Sequence, residues 1–262
     1  MKHHFLFSYA GNKRNEVEYI YNTTKKIYDY DNVDVIIEPF CGTCAFSYYL
    51  STLYPKKYKY ILNDNDEKLF NIFKLIITEE ANIINFNMNT IIHKFNQYTD
   101  DIERKRFYLS IKDKEDVYSC LFMNKYYNLR QGLYPPIKRI KQLKLFKIQD
   151  IPFYNFIKNE NVEFKNVDAT ELVKQHKDDD KTLIFLDPPY IVACNAFYED
   201  TMMTIYEYMY KNDINLWLSN IVLCLENIWI IRMLFSKNTI SDEYAKQYQL
   251  SKKKTTHIVI TK

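Results

Sequence analysis

The chain has 262 residues, 47% of them apolar and 26% charged, and its 36 Lys and Arg against 33 Asp and Glu leave a net charge of +3. Aromatic residues at 16% exclude a disordered chain, because that much ring surface buries itself, and only three glycines exclude collagen-like and low-complexity classes. A small positive charge is compatible with a nucleic-acid partner and does not require one.

In chain order, residues 33–37 read as a buried strand and residues 38–42 as a turn. Ala45 to Leu53 has helical spacing, residues 58–62 form a second strand, and Asn63-Asp64-Asn65-Asp66 ends it. Glu67 to Ile77 has helical spacing through Leu69, Ile72, Phe73 and Ile76. This strand–turn–helix–strand–acid–helix order opens a doubly wound α/β sheet. From 78 to 154 strand-like runs vanish, and basic and aromatic residues interleave. Arg130, Lys138, Arg139, Lys141, Lys144 and Lys147 occur with no acid among them, which predicts phosphate contact by an inserted subdomain. The α/β pattern resumes with a strand at 162–164 leading to Asp168, a buried strand at 182–186, a short strand at 216–220 and a terminal strand at 257–260.

Five cysteines form no disulfide framework, which predicts a reducing compartment. Met1 to Lys13 holds no long apolar run, so no signal peptide is expected. The longest apolar run, Ile221 to Leu234, is broken by Glu226, Asn227 and Arg232, so no membrane span is expected either. The expected setting is intracellular.

The three glycines, Gly11, Gly42 and Gly132, all fall in turn-like segments. Gly42 follows a strand and precedes a helix, and Asp64 ends the next strand 22 residues later, the spacing of a site that holds a ribose with a carboxylate. The glycine-rich dinucleotide fingerprint is absent, so S-adenosylmethionine suits the turn better than a dinucleotide. Asp187-Pro188-Pro189-Tyr190 follows an apolar strand and therefore stands at the carboxyl edge of the sheet. It offers a carboxylate, a backbone carbonyl between two prolines and an aromatic face. An exocyclic amino group needs two such acceptors, and its ring needs a surface to stack on.

On these motifs the sequence resembles the Dam-type DNA adenine methyltransferases. Tyr9-Ala10-Gly11-Asn12-Lys13 looks like the N-terminal motif of that family, and Glu38-Pro39-Phe40-Cys41-Gly42 looks like its cofactor turn. Asn63-Asp64 looks like its Asn-Asp, and Tyr127-Asn128-Leu129-Arg130 with Gly132 looks like its DNA-contacting segment. Asp187 to Tyr190 is similar to its catalytic motif residue for residue. The motif order resembles the α group. The resemblance implies a Rossmann-like methyltransferase domain, discontinuous over 1–77 and 155–262, with a mostly helical target-recognition subdomain at 78–154. It implies S-adenosylmethionine bound by Tyr9, Gly11, Lys13, Glu38, Pro39, Phe40, Cys41, Gly42, Asp64, Asp168 and Asp187. It implies catalysis by Asp187, Pro188, Pro189 and Tyr190 on an adenine flipped out of duplex DNA. DNA contact falls to Tyr126, Tyr127, Asn128, Arg130, Lys138 and Arg139. Two departures stand out: Cys44 replaces a second small residue of the cofactor turn, and Gln131 is an apparent insertion in the recognition segment.

Other readings compete. A non-catalytic DNA-binding subunit, or a methyltransferase acting on RNA or on the cytosine amine, would use the same fold. Cys41 and Cys44 form a C-x-x-C, but no second pair exists for zinc, so they are expected to line the cofactor turn. The histidines show no ligand spacing, and no metal is expected. Asp178-Asp179-Asp180 is expected to be a solvated loop, and Lys252-Lys253-Lys254 a solvated turn or a phosphate contact.

Overall fold

A computed structural model describes residues 5–7, 12–111, 114–126, 142–190, 205–209, 211, 220–226, 229–236, 238–241, 244–247 and 254–261. The chain divides into two compact units, one of residues 1–14 and 66–164, the other of residues 15–65 and 165–262.

The second unit carries the sheet. Helix α1 (Val17–Thr24) precedes strand β1 (Val35–Glu38), helix α2 (Ala45–Leu53) and strand β2 (Lys59–Asn63). Strand β3 (Val162–Lys165), of which only the last residue falls in this unit, is followed by helix α8 (Ala169–His176) and strand β4 (Thr182–Leu186). Strand β5 (Ile221–Glu226), helix α9 (Trp229–Leu234) and strands β6 (Thr239–Ile240), β7 (Tyr244–Gln247) and β8 (Lys254–Thr261) complete the order. The eight strands described run β3-β2-β1-β4-β5-β8-β6, with β7 paired to β8. The β2–β1–β4–β5 pairings are parallel, while β8 is antiparallel to β5, β6 and β7. A mostly parallel sheet with an antiparallel end is the α/β architecture expected from the sequence.

Alternation makes the core. Ile184 and Leu186, Ile221, Leu223 and Leu225, and Ile258 and Ile260 share one face with Leu172 and Val173 of α8. On the other parity Phe185 stacks on Phe46 of α2 at 4.2 Å. All five β4 residues are buried, so this strand reads as a continuous apolar run rather than an alternating one.

Most expected elements lie within a residue or two of their observed bounds. The strand beside β4 is Ile221–Glu226, and of the strand expected at 216–220 only Asn220 lies among the described residues. Residues 216–219 lie outside the described ones, and Asn220 is a bend whose side chain donates to the carbonyls of His176 (3.1 Å) and Asp179 (2.9 Å). The apolar run that begins at Ile221 is an inner strand covered on both faces. Lys254 lies in β8, so the expected turn cannot include it. Asp179 accepts from Thr182 Oγ1 at 2.7 Å and from Lys181 N at 3.0 Å, closing the turn into β4.

The first unit is helical in its described residues up to β3, with α3 (Glu67–Thr78), α4 (Ala81–Gln97), α5 (Asp101–Ile111), α6 (Val117–Tyr126) and α7 (Pro152–Ile157). Asp66 caps α3 by accepting from the N–H groups of Lys68 and Leu69. Because α3 packs on α6 and α7, it belongs to this unit rather than to the sheet unit. Phe95 of α4 meets Phe107 of α5 and Phe122 of α6 at 6.0 and 6.2 Å.

Three asparagines of α4 fasten the extended stretch 142–147 and the 3-10 turn that follows it. Asn96 both donates to Leu143 O (2.8 Å) and accepts from Leu143 N (2.9 Å). Asn89 does the same with Phe146, at 3.0 and 2.7 Å, and Asn85 accepts from Ile148 N at 2.8 Å. The Asn89 and Asn96 amides act as a strand neighbour would, giving non-helical backbone both a donor and an acceptor. Asn89→Ala therefore strands both groups of Phe146 and is expected to lower stability by about 1–2 kcal/mol. Denaturation, together with faster exchange of the Phe146 amide, checks this. Unchanged exchange would mean that the clamp is not holding the segment.

Candidate active site

Parallel strands end at one edge, and the loops beyond β1, β2 and β4 carry the motif residues. Beyond β1 the chain must turn sharply into α2. Gly42 takes φ 48° and Cys44 takes φ 54°, both in the left-handed region. Gly42 enters it freely, whereas Cys44 carries a penalty of roughly 1–2 kcal/mol. Its side chain is fully buried, and its N–H closes the turn on Cys41 O at 2.6 Å. The position where the family pattern has a small residue is thus one where the backbone needs positive φ.

The turn is braced from both sides. Glu38, buried, accepts from Ser47 N of α2 at 2.6 Å. Cys41 N donates to Asn63 O at 2.8 Å. Asn63, fully buried, donates through Nδ2 to Pro39 O (2.9 Å) and Val167 O (3.0 Å), and its Oδ1 accepts from Val167 N (2.9 Å). One side chain thereby ties the β1 turn to the chain that enters α8. Asp64 follows it, and its Oδ2 accepts from Gly42 N at 2.9 Å. Gly42 and Asp64, paired by spacing alone in the sequence, are in direct contact.

Asp168 is the N-cap of α8, accepting from Thr170 N at 2.7 Å and from Thr170 Oγ1. Its Oδ1 is thus engaged in capping. Cys41 and Cys44 are buried beside each other in the turn. Burial pushes the Cys44 thiol up to about 11 and raises the Cys41 thiol well above its ordinary value, with Glu38 and Asp64 adding to both. Both stay protonated at neutral pH, which suits lining residues rather than metal ligands or nucleophiles. Among the described residues no group of three or more His, Cys, Asp or Glu is placed to hold a metal ion. Among them, too, no helix is long and apolar enough to cross a membrane.

At the end of β4, Pro188 and Tyr190 are buried, and the Tyr190 hydroxyl donates to Asp187 Oδ1 at 3.0 Å. The Tyr190 ring packs edge-on against His257 of β8, with centroids 4.8 Å apart. Sequence reasoning set His257 aside for want of ligand spacing. Its place beside the motif depends on β8 pairing with β5, which no local pattern announces.

In the helical unit Lys13 is buried, and Arg14 lies over the Phe5 ring at 4.3 Å with Nε and Nη2 buried and without hydrogen-bond partners among the described residues. Lys125, near the end of α6, sits over Phe146 at 5.7 Å. Burial, and then the Arg14 charge, bring its ammonium down to about 8. Tyr126 packs on Phe122 at 5.0 Å, and burial raises its hydroxyl to about 12. Tyr9, Gly11, Tyr127, Asn128, Arg130, Lys138 and Arg139 lie outside the described residues.

A family model described as D12 class N6 adenine-specific DNA methyltransferase matches residues 9–214. The Type II methyltransferase M.MjaIII of Methanocaldococcus jannaschii is 28% identical to this chain over 209 residues, covering 71% of the chain and 68% of the relative.

Proposed function

The chain belongs to the D12 class N6 adenine-specific DNA methyltransferases, and on that premise we propose that it carries methyl groups from S-adenosylmethionine to adenine in duplex DNA, inside the cell. The observation that carries the cofactor reading is the braced β1 turn, with Gly42 N–H on the Asp64 carboxylate. Residues 38–44 hold an acid, apolar groups and no Lys or Arg. That donor set suits a phosphate-free, cationic nucleoside and disfavours a pyrophosphate. Asp64 is the acceptor for the ribose hydroxyls, Phe40 offers an apolar wall, and Asp168 stands at the adenine side. When bound, S-adenosylmethionine supplies an electrophilic methyl group on a sulfonium sulfur.

The protein's own contribution is at Asp187 to Tyr190. The target adenine leaves the duplex and enters beside Tyr190, which supports its ring. Asp187 and the Pro188 carbonyl accept the two amino hydrogens. Holding both bends the nitrogen away from conjugation with the ring, so its lone pair points outward. The same acceptors would stabilise the positive charge that grows on nitrogen as its bond to the methyl carbon replaces the carbon–sulfur bond, the sulfur leaving as a neutral thioether and the nitrogen then losing one proton to water. Alignment of nitrogen with the methyl carbon supplies much of the remaining acceleration. Residues 78–154 form the target-recognition subdomain in this reading.

The test is transfer of label from S-adenosylmethionine to a mixed-sequence duplex, a single strand and an RNA, followed by nucleoside analysis. Label is expected in N6-methyladenine of the duplex. Label in N4-methylcytosine or in RNA would move the reading to those substrates, and no transfer with DNA still bound would favour a non-catalytic binding protein.

Lys125 gives an independent check on DNA contact in the stretch 124–147. A phosphate binds the ammonium form only, and in the free protein that form is lost as pH rises through about 8. DNA binding must then take up a proton, so affinity is expected to fall between pH 7 and 9 at constant salt, by up to about tenfold. Lys125→Gln is expected to bind more weakly at pH 7 and to show a flatter pH response. An equal pH response in both proteins would remove Lys125 from the interface.

A further inference from the structure

Register places His257 beside the catalytic motif. Leu186 pairs with Leu223 and Leu223 with Ile260, while His257 pairs with Glu226, three residues further toward the carboxyl edge of β4. His257 is fully buried, and its Nδ1 lies 3.5 Å from Oε2 of Glu16, itself buried at the start of α1. On its other side the imidazole meets the Tyr190 ring edge-on at 4.8 Å and 76°. Tyr190 in turn donates to Asp187 Oδ1 at 3.0 Å. These contacts make a continuous line from Glu16 through His257 and Tyr190 to Asp187, all within the sheet unit.

An apolar pair would fill this part of the core at less desolvation cost than a carboxylate and an imidazole. What the polar pair adds is orientation. An imidazole held by a carboxylate has one ring plane, whereas Leu or Phe in the same volume rotates more freely. An edge-on ring contact holds the partner ring in turn. We propose that His257 and Glu16 are positioning residues for methyl transfer: Glu16 sets the plane of the His257 ring, His257 sets the Tyr190 ring, and the Tyr190 hydroxyl sets the rotamer of Asp187 before the base arrives. The inference rests on the reading of Asp187 and Tyr190 as the groups that hold the target amine and its ring.

The test is a set of single-turnover rates with KM for duplex DNA, cofactor affinity and melting temperature measured on the same proteins. Glu16→Leu, His257→Leu and His257→Phe are expected to bind both partners within about twofold of the parent and to transfer about tenfold or more slowly, since misplacement of about 1 Å is enough for losses of that order. Glu16→Gln keeps the side-chain volume and a polar oxygen facing the imidazole, and it is expected to stay within about threefold of the parent rate. His257→Phe guards against a folding failure, because it fills the same core volume. Parental turnover in the folded His257→Phe and Glu16→Leu proteins, with or without a lower melting temperature, overturns the proposal. So does a rate loss in Glu16→Gln as deep as that in Glu16→Leu. Asp187→Ala run alongside separates the two levels: if it is inactive while the His257 and Glu16 variants are unimpaired, only the positioning role fails, and if it is active, the assignment of the amine-holding groups itself fails.

Discussion

Asp187→Ala is expected to lower the single-turnover rate of methyl transfer by about a thousandfold, while duplex DNA and S-adenosylmethionine stay bound. The size follows from the kind of interaction removed. In the proposed mechanism Asp187 meets the amino group where positive charge develops, so its contribution is larger in the transition state than in the ground state. Loss of one such preorganised partner in a water-poor site removes roughly 3–4 kcal/mol of stabilisation. The fold should survive, because Asp187 lies past the last residue of β4 and is only half-buried. The Tyr190 hydroxyl loses its acceptor, however, so some loss of order in Tyr190 should accompany the rate effect. Asp187→Asn makes the measurement sharper. Asn keeps an accepting oxygen and a place for the Tyr190 hydroxyl but loses the charge, so its rate should fall between those of the parent and Asp187→Ala. If Asp187→Asn and the parent transferred equally fast, charge on this residue would have no part in the chemistry.

Asn63→Ala is expected to have the largest effect on stability and, through it, on the cofactor turn. Three hydrogen bonds leave with the side chain, stranding the buried acceptor Pro39 O and the part-buried groups Val167 O and Val167 N. An unsatisfied buried group costs about 1–3 kcal/mol, and water entering the enlarged space recovers part of that. A net loss of about 3 kcal/mol is the expected result in denaturant titration, with S-adenosylmethionine affinity reduced by about tenfold or more. Asn63→Asp discriminates. It keeps the bond from Val167 N but turns both donors into repelled acceptors, so it should be at least as damaging as Ala. Normal cofactor affinity in a folded Asn63→Ala protein would show that the Pro39–Val167 tie does not shape the site.

Both predictions concern segments whose nature was legible before any coordinates. An apolar run that ends in Asp-Pro-Pro-Tyr can only be a strand stopped by proline, and strand-turn-helix-strand order obliges the Gly42 turn and Asp64 to share one edge of a parallel sheet. Those inferences need only period, sterics and connection rules, which are local. The helix Ala45–Leu53 and the strand Thr182–Leu186 were readable to the residue for the same reason.

Other features depend on what lies opposite in space. The strand Ile221–Glu226 is only an apolar run in sequence, and it is pairing with β4 and β8 that makes it an inner strand. Asn85, Asn89 and Asn96 look like an ordinary polar helix face until the chain at 142–148 comes back to them. Lys125 is one cation among many in sequence, and its displaced titration comes first from burial and then from Arg14, far away along the chain but close in the folded unit. His257 and Glu16 stand near opposite ends of the sequence, and only an antiparallel last strand brings them together behind Tyr190. The amino-acid order was sufficient for the class of fold, the family and the candidate chemistry, since each rests on short motifs with a steric or electronic rationale. Tertiary packing alone settled which side chains brace the turn, what stands behind the catalytic motif and how far burial moves a titration, because those quantities arise between residues that no local pattern connects.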